Sequence, residues 1–299
     1  MNQIGFIGVG IMGKGMVRNL MKAGFQVHIY ARHPEKVADV VQEGALLHGS
    51  IAECAAESEA VITIVGSPQD VEEVYFGKDG LLENGKAGSV LIDMTTTVPS
   101  LSQRLYEEGK KRGFRMVDAP VTGGEAGAKN GTLSILAGGD RENFEACMPL
   151  FQAMGNNINY QGGPGSGQHT KMVNQIMVAG TLSGICEALA YAQAKDLDLE
   201  VLLRSLSTGA AGSKQLDAYG LKIASGDYRP GFFIRHFVKD MKIAKEEAEK
   251  SGLALSVLPQ VLSEYQVLEN EGLGEEGIQG LIRYYQEFSG SAAAKESER

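Results

Sequence analysis

Residues 4–32, IGFIGVGIMGKGMVRNLMKAGFQVHIYAR, decide the fold of this 299-residue chain. A β-rich apolar run breaks at Gly8-Val9-Gly10-Ile11-Met12-Gly13 and passes into an amphipathic segment that stops at Gly24, where a second β-rich run begins. A GxGxxG is a weak signal alone. Between a strand and a helix the three glycines act differently, since the first makes the tight turn, the second lets backbone approach a pyrophosphate, and the third packs helix on strand. The helix start then offers oriented N–H groups to the phosphates. The stretch predicts a dinucleotide-binding βαβ unit with Gly8, Gly10, Ile11, Met12 and Gly13 against the cofactor. A P-loop nearly coincides with it, but Gly15 stands where a Mg²⁺-holding hydroxyl belongs, which speaks against a nucleotide hydrolase.

Outward from this unit, QIGFIG, QVHIYA, AVITIVG, SVLIDMT, FRMVDAP and LSILAGG read as strands. PEKVADVVQEG, SPQDVEEVYFG and PSLSQRLYEEGKKRG read as helices, opened by or near proline and closed by glycine. Apolar strands joined by helices imply a doubly wound parallel sheet. After Pro164 the β pattern stops, and helical periodicities follow over 166–195, 198–208, 213–224, 237–251, 256–271 and 277–288. The fold expected is α/β: a Rossmann-type NADP-binding domain over 1–163 and an interdomain helix over 164–195. An all-α substrate and oligomerisation domain over 196–290 and a flexible tail over 291–299 would follow.

Hydrophobic residues at 43% and charged ones at 22% are the proportions of a soluble globular protein. A net charge of −9 argues against a general nucleic-acid binder, which presents a basic face. No apolar run approaches the ~20 residues of a membrane helix and no signal peptide is evident, so the expected location is cytoplasmic. Cys54, Cys147 and Cys186 are scattered, and the histidines lack zinc-site spacing, so no metal is expected.

The end of the second strand selects the dinucleotide. An acid there would bind the ribose 2′-OH of NAD, whereas this chain has Arg32, which can clamp the 2′-phosphate of NADP. NADP(H) is therefore the preferred cofactor, with NAD(H) possible. Val65, Gly66 and Ser67 after one strand, and Thr96 after another, fit the nicotinamide end, although such loops are also hydroxyl-rich for helix capping. Thr122-Gly123-Gly124 pairs a hydroxyl with unobstructed N–H groups, an array suited to a carboxylate and equally to a plain turn. In GSGQHTKMVNQ, Lys171, Asn174 and Gln175 stand at i, i+3 and i+4 and share a helix face. His169 points elsewhere. A lysine near a nicotinamide can give a proton to the forming alkoxide and take it back in reverse, and burial favours its neutral form. The plain alternative is a lysine snorkelling from the helix side.

Together these motifs resemble the β-hydroxyacid dehydrogenase family, which includes 3-hydroxyisobutyrate dehydrogenase, tartronate semialdehyde reductase and the glyoxylate/succinic semialdehyde reductases. IGFIGVGIMGKGM, DAPVTGGEAGAKNGTLSILAGG, GSGQHTKMVNQ and FVKDMKIAKEEA follow the family's order and spacing. The resemblance implies a hydride-transferring oxidoreductase with Lys171 as general acid/base. It implies Thr122, Gly123 and Gly124 on the substrate carboxylate, Asn174, Gln175 and Asp240 on the substrate, and Lys239 over the cofactor. The partners implied are a small carboxylate-bearing aldehyde or hydroxy acid and further copies of the chain in a homodimer or homotetramer. No nucleic acid or membrane is expected. Phe232 either walls the pocket or packs in the core. The family often has serine at Thr122 and asparagine at Gln175, which leaves open which amide meets substrate. Two rival readings are an imine reductase on the same scaffold, which usually lacks the lysine, and a non-catalytic NADPH sensor.

Overall fold

The computed structural model describes residues 1–288, so the expected tail at 291–299 lies outside the described residues. The chain forms two compact units, residues 1–171 and a second beginning at Met172.

In the first unit β1 (Gln3–Ile7), α1 (Ile11–Lys22) and β2 (Gln26–Tyr30) make the expected βαβ opening. Then come α2 (Ala38–Gln42), β3 (Leu46–His48), α3 (Ile51–Ala56), β4 (Ala60–Thr63), α4 (Pro68–Phe76) and α5 (Leu81–Asn84). β5 (Val90–Asp93), α6 (Pro99–Lys111) and β6 (Arg115–Asp118) complete the parallel part. The strands run in the order β3-β2-β1-β4-β5-β6, all parallel, which is the doubly wound order with its switch point between β1 and β4. All residues of β4 and β5 are buried, as expected of strands covered on both faces by helices.

Beyond β6 the sheet departs from the all-parallel expectation. β7 (Val121–Thr122) and β8 (Leu133–Gly139) add antiparallel, with α7 (Gly124–Asn130) between them. After α8 (Arg141–Ala146) and α9 (Met148–Met154), β9 (Gly155–Gly162) pairs parallel with β8. The sequence reading missed β3, β7 and β9. β9 carries asparagines that strands ordinarily disfavour, and β3 exposes Leu46 and Leu47 at the sheet edge, so neither shows an inward-facing apolar pattern. The GGEAGAKNG stretch, read as a glycine cluster, is largely helix α7. It lies so close to α1 that a Cβ on Gly15 would stand 2.8 Å from the Ala128 carbonyl carbon, and Asn19 Nδ2 donates to Ala128 O at 2.7 Å.

α10 (Ser166–Ala194) opens in the first unit and continues through the second. Contrary to expectation, one described helix is long and apolar enough to cross a bilayer, and it is α10. It is partly buried, and in its first turn the buried side-chain amide of Gln168 is hydrogen-bonded within the first unit.

The second unit adds α11 (Leu199–Ser207), α12 (Lys214–Ala224), α13 (Ile234–Lys250) and α14 (Val257–Asn270). Asp198 and Ser213 cap α11 and α12. Tyr265 meets Phe237 edge-on at 5.2 Å and donates its hydroxyl to Ile278 O, tying α14 to α13 and to the turn at Ile278. The helix expected over 277–288 is replaced by a 3₁₀ turn at Ile278–Leu281 and a π-helical turn at Tyr284–Phe288. Tertiary bonds explain the change: Gly277 bridges Phe233, and Gln279 Nε2 donates to Asp227 O and Arg229 O.

Candidate active site

The carboxyl ends of β1, β4, β5 and β6 lie side by side, so topology places the loops that follow them along one edge of the sheet. At the first, Gly8 holds φ +96°, and a Cβ there would run into Ile64 O. Gly13 sits against Gly8 O with the same consequence, whereas a Cβ on Gly10 would meet nothing within 4 Å. Turn, open approach and close packing thus fall on Gly8, Gly10 and Gly13 in that order. α1 begins at Ile11 with no side-chain cap and no acid in its first turn, so its leading N–H groups are available to an anion. Ile11 is exposed beside them and Met12 half-buried. These features fit the pyrophosphate of a dinucleotide. Lys14, the P-loop look-alike, is paired with Asp39 at 2.7 Å.

Arg32, after β2, is mostly exposed and pairs with Asp70 at 2.9 Å. Asp70 in turn accepts from Ser67 Oγ at 2.8 Å, while that same oxygen caps α4 by accepting from Asp70 N. The Ser67 hydroxyl therefore serves the helix start, as hydroxyls in such loops commonly do. Val65 N–H donates to Thr95 Oγ1 at 3.0 Å, which joins the loop containing Val65 and Gly66 to the loop containing Thr96.

Two acids missed by the sequence reading organise this edge. Asp93 and Asp118 close β5 and β6 and are register partners. Asp93 Oδ1 accepts from Thr63 Oγ1 at 2.9 Å and Thr95 N at 3.1 Å, while its Oδ2 is buried without a hydrogen bond. Asp118 Oδ1 accepts from Gly165 N at 2.8 Å and its Oδ2 from Gln168 N at 3.1 Å, which caps the start of α10. The available signal was an acid ending two consecutive apolar strands, LID and MVD.

Burial pushes the Asp93 carboxyl up to about 6, with the neighbouring Asp118 adding to the rise and the Thr95 and Thr63 hydrogen bonds opposing it. An acid whose folded value is raised stabilises the fold fully below its unfolded value, and that contribution is lost as pH climbs through the folded value. Asp93→Asn keeps an acceptor for Thr63 and Thr95 without the charge. It is expected to raise Tm by several degrees at pH 8, reflecting roughly 3 kcal/mol over about two pH units, and to change little at pH 4. Thermal unfolding at the two pH values checks this; an equal shift at both would refute it.

Lys171 is 7% exposed and its Nζ donates to Val121 O at 2.8 Å, one residue before Thr122. Thr122 is half-buried, and Gly123 (φ +133°) and Gly124 (φ +62°) are exposed and turn the chain into α7. Lysine and glycine array are therefore adjacent within the first unit. In the second unit Gln175 is buried, accepts from Asn174 Nδ2 at 2.7 Å and donates to Asp240 Oδ2 at 2.6 Å. Lys239 Nζ pairs with Asp240 Oδ1 at 3.0 Å. Phe232 is half-buried and packs on Phe237, ring centres 5.6 Å apart. His169 is exposed.

A family model of the NAD binding domain of 6-phosphogluconate dehydrogenase matches residues 3–162, and one described as NAD-binding of NADP-dependent 3-hydroxyisobutyrate dehydrogenase matches residues 165–285. The chain belongs to the β-hydroxyacid dehydrogenase family. As a member it is an NAD(P)-dependent oxidoreductase acting on CH–OH groups. An uncharacterised oxidoreductase of Bacillus subtilis, YkwC, is 47% identical over 94% of this β-hydroxyacid dehydrogenase and 98% of its own length. The 2-hydroxy-3-oxopropionate reductase of Escherichia coli is 37% identical over 85% of this chain and 86% of its own. Among solved structures, a 3-hydroxyisobutyrate dehydrogenase from Salmonella typhimurium superposes with a TM-score of 0.88 at 26% identity, covering 95% of this chain and 99% of that one.

Proposed function

We propose that this dehydrogenase interconverts a short carboxylate-bearing aldehyde and its hydroxy acid with NADP(H), Lys171 serving as the general acid/base. The observation that carries this reading is the buried Lys171 amine held on Val121 O, next to Thr122 and its two glycines. A bound dihydronicotinamide supplies the hydride. As the new C–H bond forms, Lys171 donates a proton to the carbonyl oxygen and becomes neutral, to be recharged from solvent; in the oxidative direction it accepts that proton. The bond to Val121 O takes one of the three N–H donors and orients the amine. The Thr122 hydroxyl and the N–H groups of Gly123 and Gly124 bind the substrate carboxylate.

Of the two amides, we assign Asn174 to the substrate. Gln175 already uses its oxygen on Asn174 and its nitrogen on Asp240, so it orients Asn174. Asp240 accepts from Gln175 through Oδ2, and its buried Oδ1 faces the Lys239 ammonium at 3.0 Å without a hydrogen bond, which gives it a supporting role. We further propose a homodimer or homotetramer, for which exposed Met177 and Tyr191 on α10 offer an apolar surface.

NADPH oxidation measured against succinic semialdehyde, glyoxylate, methylmalonate semialdehyde and tartronate semialdehyde tests the assignment. Turnover is expected on at least one. Saturable NADPH binding with no turnover on any would instead favour a non-catalytic sensor.

A further inference from the structure

The first turn of α10 is fastened more heavily than a helix end requires. Asp118 already caps it through Gly165 N and Gln168 N. In addition the Gln168 side chain, fully buried, accepts from Thr97 N at 3.0 Å and donates to Thr95 O at 2.7 Å. These two partners flank Thr96, and Thr95 also receives Val65 N–H. The amide therefore sits where both loops assigned to the nicotinamide end meet the helix that carries Lys171 three residues further on. Residues three apart lie on the same side of a helix, so any slip of Gln168 moves the lysine with it.

We infer that Gln168 is a positioning residue for proton transfer, fixing the Lys171 amine against the Thr95–Thr96–Thr97 loop. The inference rests on the proposed role of Lys171. The amide has one satisfied orientation, oxygen to Thr97 N–H and nitrogen to Thr95 C=O; flipping it sets donor against donor and acceptor against acceptor. An apolar residue strands two buried backbone groups, which relieve themselves by shifting the loop. The glycine loop at β1 is untouched by either change. The expected damage therefore falls more on kcat than on NADPH KM, since the diphosphate end keeps its contacts while the loop at the nicotinamide end shifts.

Gln168→Glu supplies the decisive readout. Its neutral carboxyl can donate to Thr95 O and accept from Thr97 N as the amide does, but the ionised form cannot donate. Burial favours the neutral form. Using the most active aldehyde of the panel above, Gln168→Glu is expected within about threefold of wild-type kcat at pH 6 and at least about tenfold below it at pH 9. Gln168→Met is expected to be about 10- to 30-fold low in kcat at both pH values, with the NADPH KM within about threefold. Wild-type kcat in Gln168→Met at both pH values overturns the inference, as does a wild-type profile for Gln168→Glu carried up to a pH at which difference infrared spectroscopy shows its carboxyl, buried beside Asp118, to be ionised. Lys171→Ala, run alongside, separates the two claims: retained turnover there defeats the lysine reading. Lost turnover there, with both Gln168 variants near wild type at every pH, defeats only the positioning role.

Discussion

Lys171→Ala lowers kcat by about 10² to 10⁴, the usual worth of a positioned acid/base, and leaves NADPH affinity within about twofold. The cofactor should be spared because the glycines proposed for its diphosphate, Gly8, Gly10 and Gly13, lie at the β1–α1 turn, whereas the lysine is held on Val121 O of β7. Truncation also strips Val121 O of its donor, so some stability is lost, and alanine alone cannot separate chemistry from packing. Lys171→Arg makes that separation. It keeps a cation able to reach a carbonyl oxygen, but a guanidinium does not release its proton at working pH. If the lysine acts only as a charge or a strut, the arginine variant regains most of the activity. If it exchanges a proton, arginine stays within about tenfold of alanine, and a small primary amine added to Lys171→Ala restores part of the rate. Steady-state kinetics with fluorescence titration of NADPH decide between these outcomes; full activity in either variant removes Lys171 from the chemistry.

The geometry at the candidate site that is legible in the sequence is that in which neighbouring residues constrain one another. Six residues around Gly8 suffice for a diphosphate loop, because turn, approach and packing each act within one βα junction. The shared face of Lys171, Asn174 and Gln175 was readable for the same reason: a single helix sets it. What could not be read depends on pairs far apart in the chain. Gln168 binds backbone more than seventy residues earlier, and Gln175 finds Asp240 sixty-five residues later. No local pattern distinguishes such a glutamine from a surface one. The antiparallel edge was hidden differently, since the polar residues of β9 have no strand preference and are held by pairing with β8. The departure of Gln175 from the family's asparagine acquires a physical meaning here. The longer side chain reaches Asp240, and the proposed assignment of Asn174 to the substrate rests on that contact.

Arg32→Asp is expected to change the ratio of NADPH to NADH affinity by about 10² to 10³. The first part is loss of attraction: charge-assisted hydrogen bonds to the 2′-phosphate contribute about 1.5–3 kcal/mol, which is roughly ten- to hundredfold. The remainder is repulsion between the new carboxylate and the phosphate. The pairing of Arg32 with Asp70 does not contradict a phosphate role. It engages one N–H of five, and because the arginine is 63% exposed the ion pair itself is worth no more than about 1 kcal/mol. Asp70 does limit what the variant can gain. An aspartate at 32 would face Asp70 and resist the posture that holds a ribose 2′-OH, so NADH affinity should stay within about threefold of wild type instead of rising. Arg32→Ala isolates the attraction and should show only the ten- to hundredfold part. Dissociation constants for both cofactors, titrated at low and at moderate salt, check this: the NADPH penalty should shrink as salt screens the exposed charges. Equal weakening of NADPH and NADH in Arg32→Asp would show that position 32 shapes the loop without touching the phosphate.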